Sequence, residues 1–105
     1  MKRLTPTEEK IMLAIWTFKK CMSKEIIDQI KDKTVSINTL STMVRILEKK
    51  KFIKHRSVNR KYIYYPKITK ESYREFLTRD LLENYFDDKD SFIDLLQQEI
   101  LIETL

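Results

Sequence analysis

The chain contains no glycine. That excludes every glycine-dependent phosphate loop and dinucleotide turn. It also disfavours a fold rich in tight turns, because glycine is the residue that enters left-handed backbone without steric cost. Proline occurs twice, at Pro6 and Pro66, while Cys21 and His55 are the single cysteine and histidine. One thiol makes no internal disulfide, and one imidazole with no second ligand at suitable spacing makes no metal site. No apolar run approaches the roughly 20 residues of a membrane span. Met1-Lys2-Arg3 is basic, but the apolar stretch of a secretion signal does not follow. No Ser/His/Asp arrangement or paired-carboxylate motif is visible, so catalysis finds no footing. The expectation is a cytoplasmic, non-enzymatic protein with no cofactor, no metal and no membrane insertion.

What is present is charge, unevenly placed. The net charge is +5 over 105 residues. Residues 1–67 hold 17 Lys/Arg against 6 Asp/Glu, and residues 68–105 hold 4 against 10. A basic front and an acidic back suggest two jobs, the front attracting a polyanion. With 42% hydrophobic residues there is enough for one core and an appendage. The expected division is 1–67 and 68–105.

"LTPTEEKIMLAIWTFKK" opens a helix with Thr5 as N-cap, Pro6 at N1 and Glu8 completing a capping box. "MSKEIIDQI" opens a short second helix with Ser23 as the expected N-cap and Met22 and Ile27 at the staple positions. "TVSINTLSTMVRILEKKKFI" opens a third, capped by Ser36 and stapled by Val35 with Leu40. Its apolar stripe is Leu40, Met43, Val44 and Leu47. "KFIKHRSVNRKYIYYP" then changes to period two, with Asn59 able to turn a hairpin near Val58–Arg60. Helix, short turn and longer helix followed by a basic hairpin make a winged helix-turn-helix. Thr69 and Ser91 are the expected caps of two further helices, one running to about Phe86 and one holding Phe92, Ile93, Leu95, Leu96, Ile100, Leu101, Ile102 and Leu105. The fold class is mainly α with a small antiparallel β-hairpin.

The outer face of the third helix is unusual. It carries Asn38, Thr39, Ser41, Thr42 and Arg45, where Glu, Lys and Gln are the ordinary solvated choices. Small polar side chains let a helix approach a major groove closely and bond base edges or phosphates. At the hairpin, Arg56, Asn59, Arg60 and Lys61 suit phosphate or the minor groove in a winged helix, although a soluble hairpin tip is also often basic. Trp16 fits the core better than a ligand platform. Tyr62, Tyr64 and Tyr65 could stack on unpaired bases, but their alternation favours packing for one face and rim contacts for the other. Cys21 beside Lys19 and Lys20 is either a buried small hydrophobe or a redox-active thiol. The last helix is apolar around most of its circumference, and a symmetric dimer is the commonest way to cover such a patch.

These pieces resemble the penicillinase-repressor (BlaI/MecI) family of bacterial winged-helix repressors. The resemblance is carried by "LTPTEEKIMLAIW", "VSINTLSTMVRILEKKKFI" and "RKYIYYP", across about residues 4–66. It implies a homodimeric transcriptional repressor that binds an inverted repeat of double-stranded DNA through the third helix and wing. It also implies pairing through the C-terminal helices, and relief of repression when a membrane-bound sensor system has the C-terminal region cut, which makes a regulatory protease a partner. On this sequence the expected DNA contacts are Ser36, Asn38, Thr39, Ser41, Thr42, Arg45, Lys49, Arg56, Asn59, Arg60 and Lys61. The expected dimer contacts are Phe76, Leu81, Tyr85, Phe92, Leu95, Leu96 and Ile100. Two departures stand out: Ile46 replaces the family's Arg, with Arg45 one place earlier, and Lys51 replaces its helix-ending Gly. Around Phe92 the cleavage region matches poorly. A second class of function is a winged helix whose basic face docks an acidic protein partner, and a third is RNA binding.

Overall fold

The computed structural model describes residues 1–104; Leu105, expected in the last helix, lies outside the described residues. The elements in chain order are α1 (Pro6–Phe18), α2 (Ser23–Ile30), α3 (Ile37–Lys49), β1 (Ile53–Val58), β2 (Lys61–Pro66), α4 (Lys70–Tyr85) and α5 (Lys89–Thr104). They form two compact units, one from Met1 to Ser72 and one beginning at Tyr73. The first is a winged helix-turn-helix.

In that unit α1 begins as its sequence dictates. Thr5 Oγ1 accepts from the Glu8 N–H at 3.3 Å and Glu8 Oε1 accepts from the Thr5 N–H at 2.9 Å, which satisfies two of the donors that a helix start leaves open. The cap of α2 is Met22 rather than Ser23. Glu25 reaches back to accept from the Met22 N–H at 3.0 Å, and this fixes the start one residue earlier. The staple positions shift with it, from Met22 and Ile27 to Cys21 and Ile26, both of which are buried. Ser36 caps α3, accepting from the Thr39 N–H at 3.1 Å.

The core is a single cluster. Ile11, Met12 and Ile15 of α1 meet Ile26 of α2, Leu40, Val44 and Leu47 of α3, and Phe52, Ile53 and Tyr64 from the hairpin. Trp16, half-buried, donates its indole N–H to the Ile68 carbonyl at 2.8 Å. Strand β1 pairs antiparallel with β2, from Ile53 opposite Pro66 to Val58 opposite Lys61. The Cys21 backbone adds a bridge on the far side of β2, exchanging both hydrogen bonds with Tyr64 at 2.8 and 3.0 Å. The α1–α2 turn therefore anchors the wing.

Without glycine, the chain turns left-handed on other residues. Lys19, Lys31, Lys51, Asn59 and Arg60 have φ between 51° and 68°, each non-glycine instance costing about 1–2 kcal/mol. At the end of α3 the Phe52 N–H bonds the Leu47 carbonyl at 2.9 Å and the Lys51 N–H bonds that of Glu48 at 3.0 Å. That is a Schellman ending with lysine in the usual place of glycine. Asn59 and Arg60 form a two-residue hairpin loop with both φ positive, the I′ geometry that suits strand twist.

In the second unit, the cap of α5 is Asp88 and not Ser91. Asp88 Oδ1 accepts from both the backbone N–H and the hydroxyl of Ser91 at 2.8 Å, and these bonds hold its carboxyl below the usual range. Phe86 and Phe92 meet edge to face with ring centres 5.3 Å apart. Beyond them α5 leaves Ile93, Leu95, Leu96 and Ile102 between 45% and 67% exposed. Among the described residues no helix is long and apolar enough to cross a membrane.

Candidate nucleic-acid interface

Burial divides α3 along the expected stripe, except that Met43, expected on it, is only half-buried. Leu40, Val44 and Leu47 are sealed in the core, while Asn38, Thr39, Thr42, Arg45 and Lys49 are exposed and Ser41 is half-buried. Side chains near 100° spacing cannot satisfy both environments, so fixing the apolar stripe fixes the outward face. The hydroxyls on that face are engaged locally. Ser41 Oγ donates to the Ile37 carbonyl at 3.0 Å, Thr42 Oγ1 donates to that of Asn38 at 3.3 Å, and Ser36 and Thr39 share a hydroxyl pair at 3.0 Å. Among the side chains left to donate outward are the Asn38 amide, the Arg45 guanidinium and whichever hydroxyl of the Ser36/Thr39 pair accepts.

The wing presents Arg56, Asn59, Arg60 and Lys61, all exposed. Pairing of His55 with Tyr64 and of Ser57 with Tyr62 puts His55, Ser57, Tyr62 and Tyr64 on one sheet face, opposite to Arg56 and its partner Ile63. His55 lies 4.5 Å from the Tyr62 ring centre and 6.1 Å from that of Tyr64. Glu48 bonds His55 Nδ1 across to α3. Tyr64 is buried, and burial pushes its hydroxyl pKa up, but Tyr62 is 54% exposed, so packing claims one tyrosine of that face and leaves the other at the rim. Between helix and wing lies a cleft of about 300 Å³ lined by Ser41, Val44, Arg45, Glu48, His55, Tyr62 and Tyr64. A neighbouring groove of about 410 Å³ runs past Lys24, Ser41, Arg60, Lys61 and Tyr62. Of the expected contacts, Ser41 and Arg45 of α3 and Arg60 and Lys61 of the hairpin line these openings, with Ser41 bordering both, whereas Ser36, Asn38, Thr39, Thr42, Lys49, Arg56 and Asn59 line neither.

One charged residue on this surface, Lys24, escaped sequence reasoning, and one exposed apolar residue of α3, Ile37, was left unassigned. Lys24, in the first turn of α2, joins the groove, and only the folded helix pair reveals that. Ile37 is 53% exposed at the first position of α3. Cys21 is 2% exposed, and burial, with Glu25 nearby, pushes its thiol up to about 11. The thiolate is the reactive form, so the inert reading of Cys21 holds. Of the expected dimer residues, Phe76, Leu81 and Phe92 are half-buried, whereas Tyr85, Leu95, Leu96 and Ile100 are exposed.

Comparison with known proteins agrees with this geometry. The solution structure of the DNA binding domain of the repressor BlaI matches with a TM-score of 0.58 and 30% identity, covering 70% of this chain and 94% of that one. Reduced AbfR bound to DNA matches at 0.57 with 17% identity, over 97% of this chain and 74% of that one. BpsR of Bordetella bronchiseptica matches at 0.55 with 13% identity, over 91% and 75%. The last two share the fold. No curated protein matches in sequence. The sequence model described as penicillinase repressor covers residues 4–104, and the chain belongs to the penicillinase-repressor family.

Proposed function

We propose that the chain is a transcriptional repressor that binds double-stranded DNA as a homodimer on an inverted repeat. Residues 1–67 read the DNA and residues 68–105 pair the two copies. The observation that carries the reading is the pair of adjoining openings between α3 and wing, lined by Ser41, Arg45, Arg60 and Lys61, with the short side chains of Asn38, Thr39 and Thr42 exposed on the same helix. Short side chains allow entry into the major groove, the cations neutralise phosphate, and the wing reaches the flank. Family membership supports repression as the outcome, and the exposed apolar face of α5 supports pairing.

The test is selection of bound duplexes from a random pool, followed by titration at several salt concentrations. An inverted repeat with a steep log–log salt slope is expected, since each neutralised phosphate contributes about 0.9 to the slope. Recovery of single half-sites would remove the dimer from the proposal. Binding to no duplex would leave the basic face to an acidic protein partner.

A further inference from the structure

We infer that Thr42 reads DNA through its methyl group, selecting a thymine by contact with the thymine C5-methyl. The inference rests on the proposal that α3 enters a major groove. Thr42 is exposed in the middle of the outward face, one turn after Asn38 and three residues before Arg45. A threonine hydroxyl has one proton, and that of Thr42 is directed to the Asn38 carbonyl. The back-bond directs Oγ1 toward the preceding turn, and Cγ2, the other branch of this exposed side chain, is the group without a hydrogen-bonding task. Such i−4 bonding is what a helical threonine does when nothing outside competes for its proton.

The chemistry of the surroundings agrees. Ser41 spends its proton on the Ile37 carbonyl in the same way, and one of the Ser36 and Thr39 hydroxyls spends its proton on the other. The face is therefore poorer in free donors than its composition suggests, and richer in methyl groups. In the major groove the thymine methyl is the apolar group that such a surface can recognise. Asn38 and Arg45, whose amide and guanidinium point to no hydroxyl partner on this face, supply the hydrogen-bonding part of the readout.

Two substitutions separate the methyl from the hydroxyl. Thr42→Val keeps branched apolar shape and loses the hydroxyl, while Thr42→Ser keeps the hydroxyl and loses the methyl. Both are titrated by fluorescence anisotropy against the duplex recovered from the random pool, and against versions in which each thymine in turn is replaced by deoxyuridine, which lacks only the methyl. For the unsubstituted protein, one replacement is expected to cost about 4-fold in affinity, the worth of one buried methyl. Thr42→Val should bind within 2-fold and keep that sensitivity. Thr42→Ser should lose about 4-fold on the thymine duplex and nothing further on the deoxyuridine duplex. Circular dichroism establishes that both variants fold. A loss confined to Thr42→Val would assign the reading to the hydroxyl and overturn the inference, as would indifference to deoxyuridine at every position. If the pool yields no preferred duplex, the DNA-reading proposal itself fails, and the inference with it.

Discussion

Glu8 is 1% exposed yet keeps its charge. Burial pushes its pKa up, but the Lys50 ammonium at 2.8 Å, together with the Thr5 N–H and hydroxyl, outweighs that and leaves it below the ordinary carboxylate value. One carboxylate thus ties the start of α1 to the end of α3. A depressed folded pKa gives stability that is present above the unfolded value and lost as pH falls through the folded one. Lys50→Met removes the compensating cation. It should cost about 2 kcal/mol at pH 7, less than the 3–5 of a fully buried pair, because the Lys50 side chain is 36% exposed. With the cation gone, burial dominates and the carboxyl titrates above its ordinary value, so the deficit should shrink between pH 7 and pH 4. Urea denaturation at both values measures this; a deficit that grows toward pH 4 would contradict it. Arg60 poses the opposite case. It holds a left-handed position that glycine would take more cheaply. Relief of about 1–2 kcal/mol, set against glycine's added entropy of about 0.5–1, predicts that Arg60→Gly raises Tm by a few degrees. If Arg60 meets phosphate, the same change lowers DNA affinity and flattens the salt slope by about 1 per chain. Gain in stability with loss of binding separates the two roles of one side chain, and an unchanged slope would deny the phosphate contact.

Within elements, much was legible because local chemistry left one solution. The Thr5/Glu8 box with Pro6, the cap at Ser36 and the Asn59 turn all formed where the residues required. Where several cap-competent residues crowd together, the choice passed to finer geometry. Ser91 lost to Asp88 in the run Asp87–Ser91, and Ser23 lost to Met22 because Glu25 reaches one residue further back. The Glu8–Lys50 pair joins residues 42 apart in the chain and leaves no periodic trace. The outward face of α3 was legible as a face, but not the inward turn of its hydroxyls, since composition does not tell whether a helical Ser or Thr points out to solvent or bonds its own i−4 carbonyl. Arg45 is the long donor of that element. Arg45→Ala should lose about 1–3 kcal/mol on the selected duplex and much less on a scrambled one. Paired titrations decide, and equal losses on both would make Arg45 a phosphate contact.

At the scale of the molecule, the exposed apolar side chains of α5 are where pairing is tested. Leu96→Glu places a charge in the middle of that exposed surface. It should give a monomer by sedimentation equilibrium, with the first unit still folded by circular dichroism. Loss of the second reading head should then lower operator affinity by several powers of ten, because roughly half of the binding energy goes with it. A variant that stays dimeric would move the pairing surface elsewhere. A truncation should end at Ser72 and not at Lys67, since the shorter chain strips Trp16 of its Ile68 acceptor. Finally, the left-handed turns have a consequence for proteolysis. Four of the five are Lys or Arg, and all four are exposed, so the places where the backbone bends away from regular structure are also places where trypsin cuts. Exposed turns are where nicking concentrates. The order of cleavage therefore maps the surface without any substitution: on bound DNA the cut after Arg60 should disappear from the early digest, while the cut after Lys19, between α1 and α2 and outside the expected contacts, should persist.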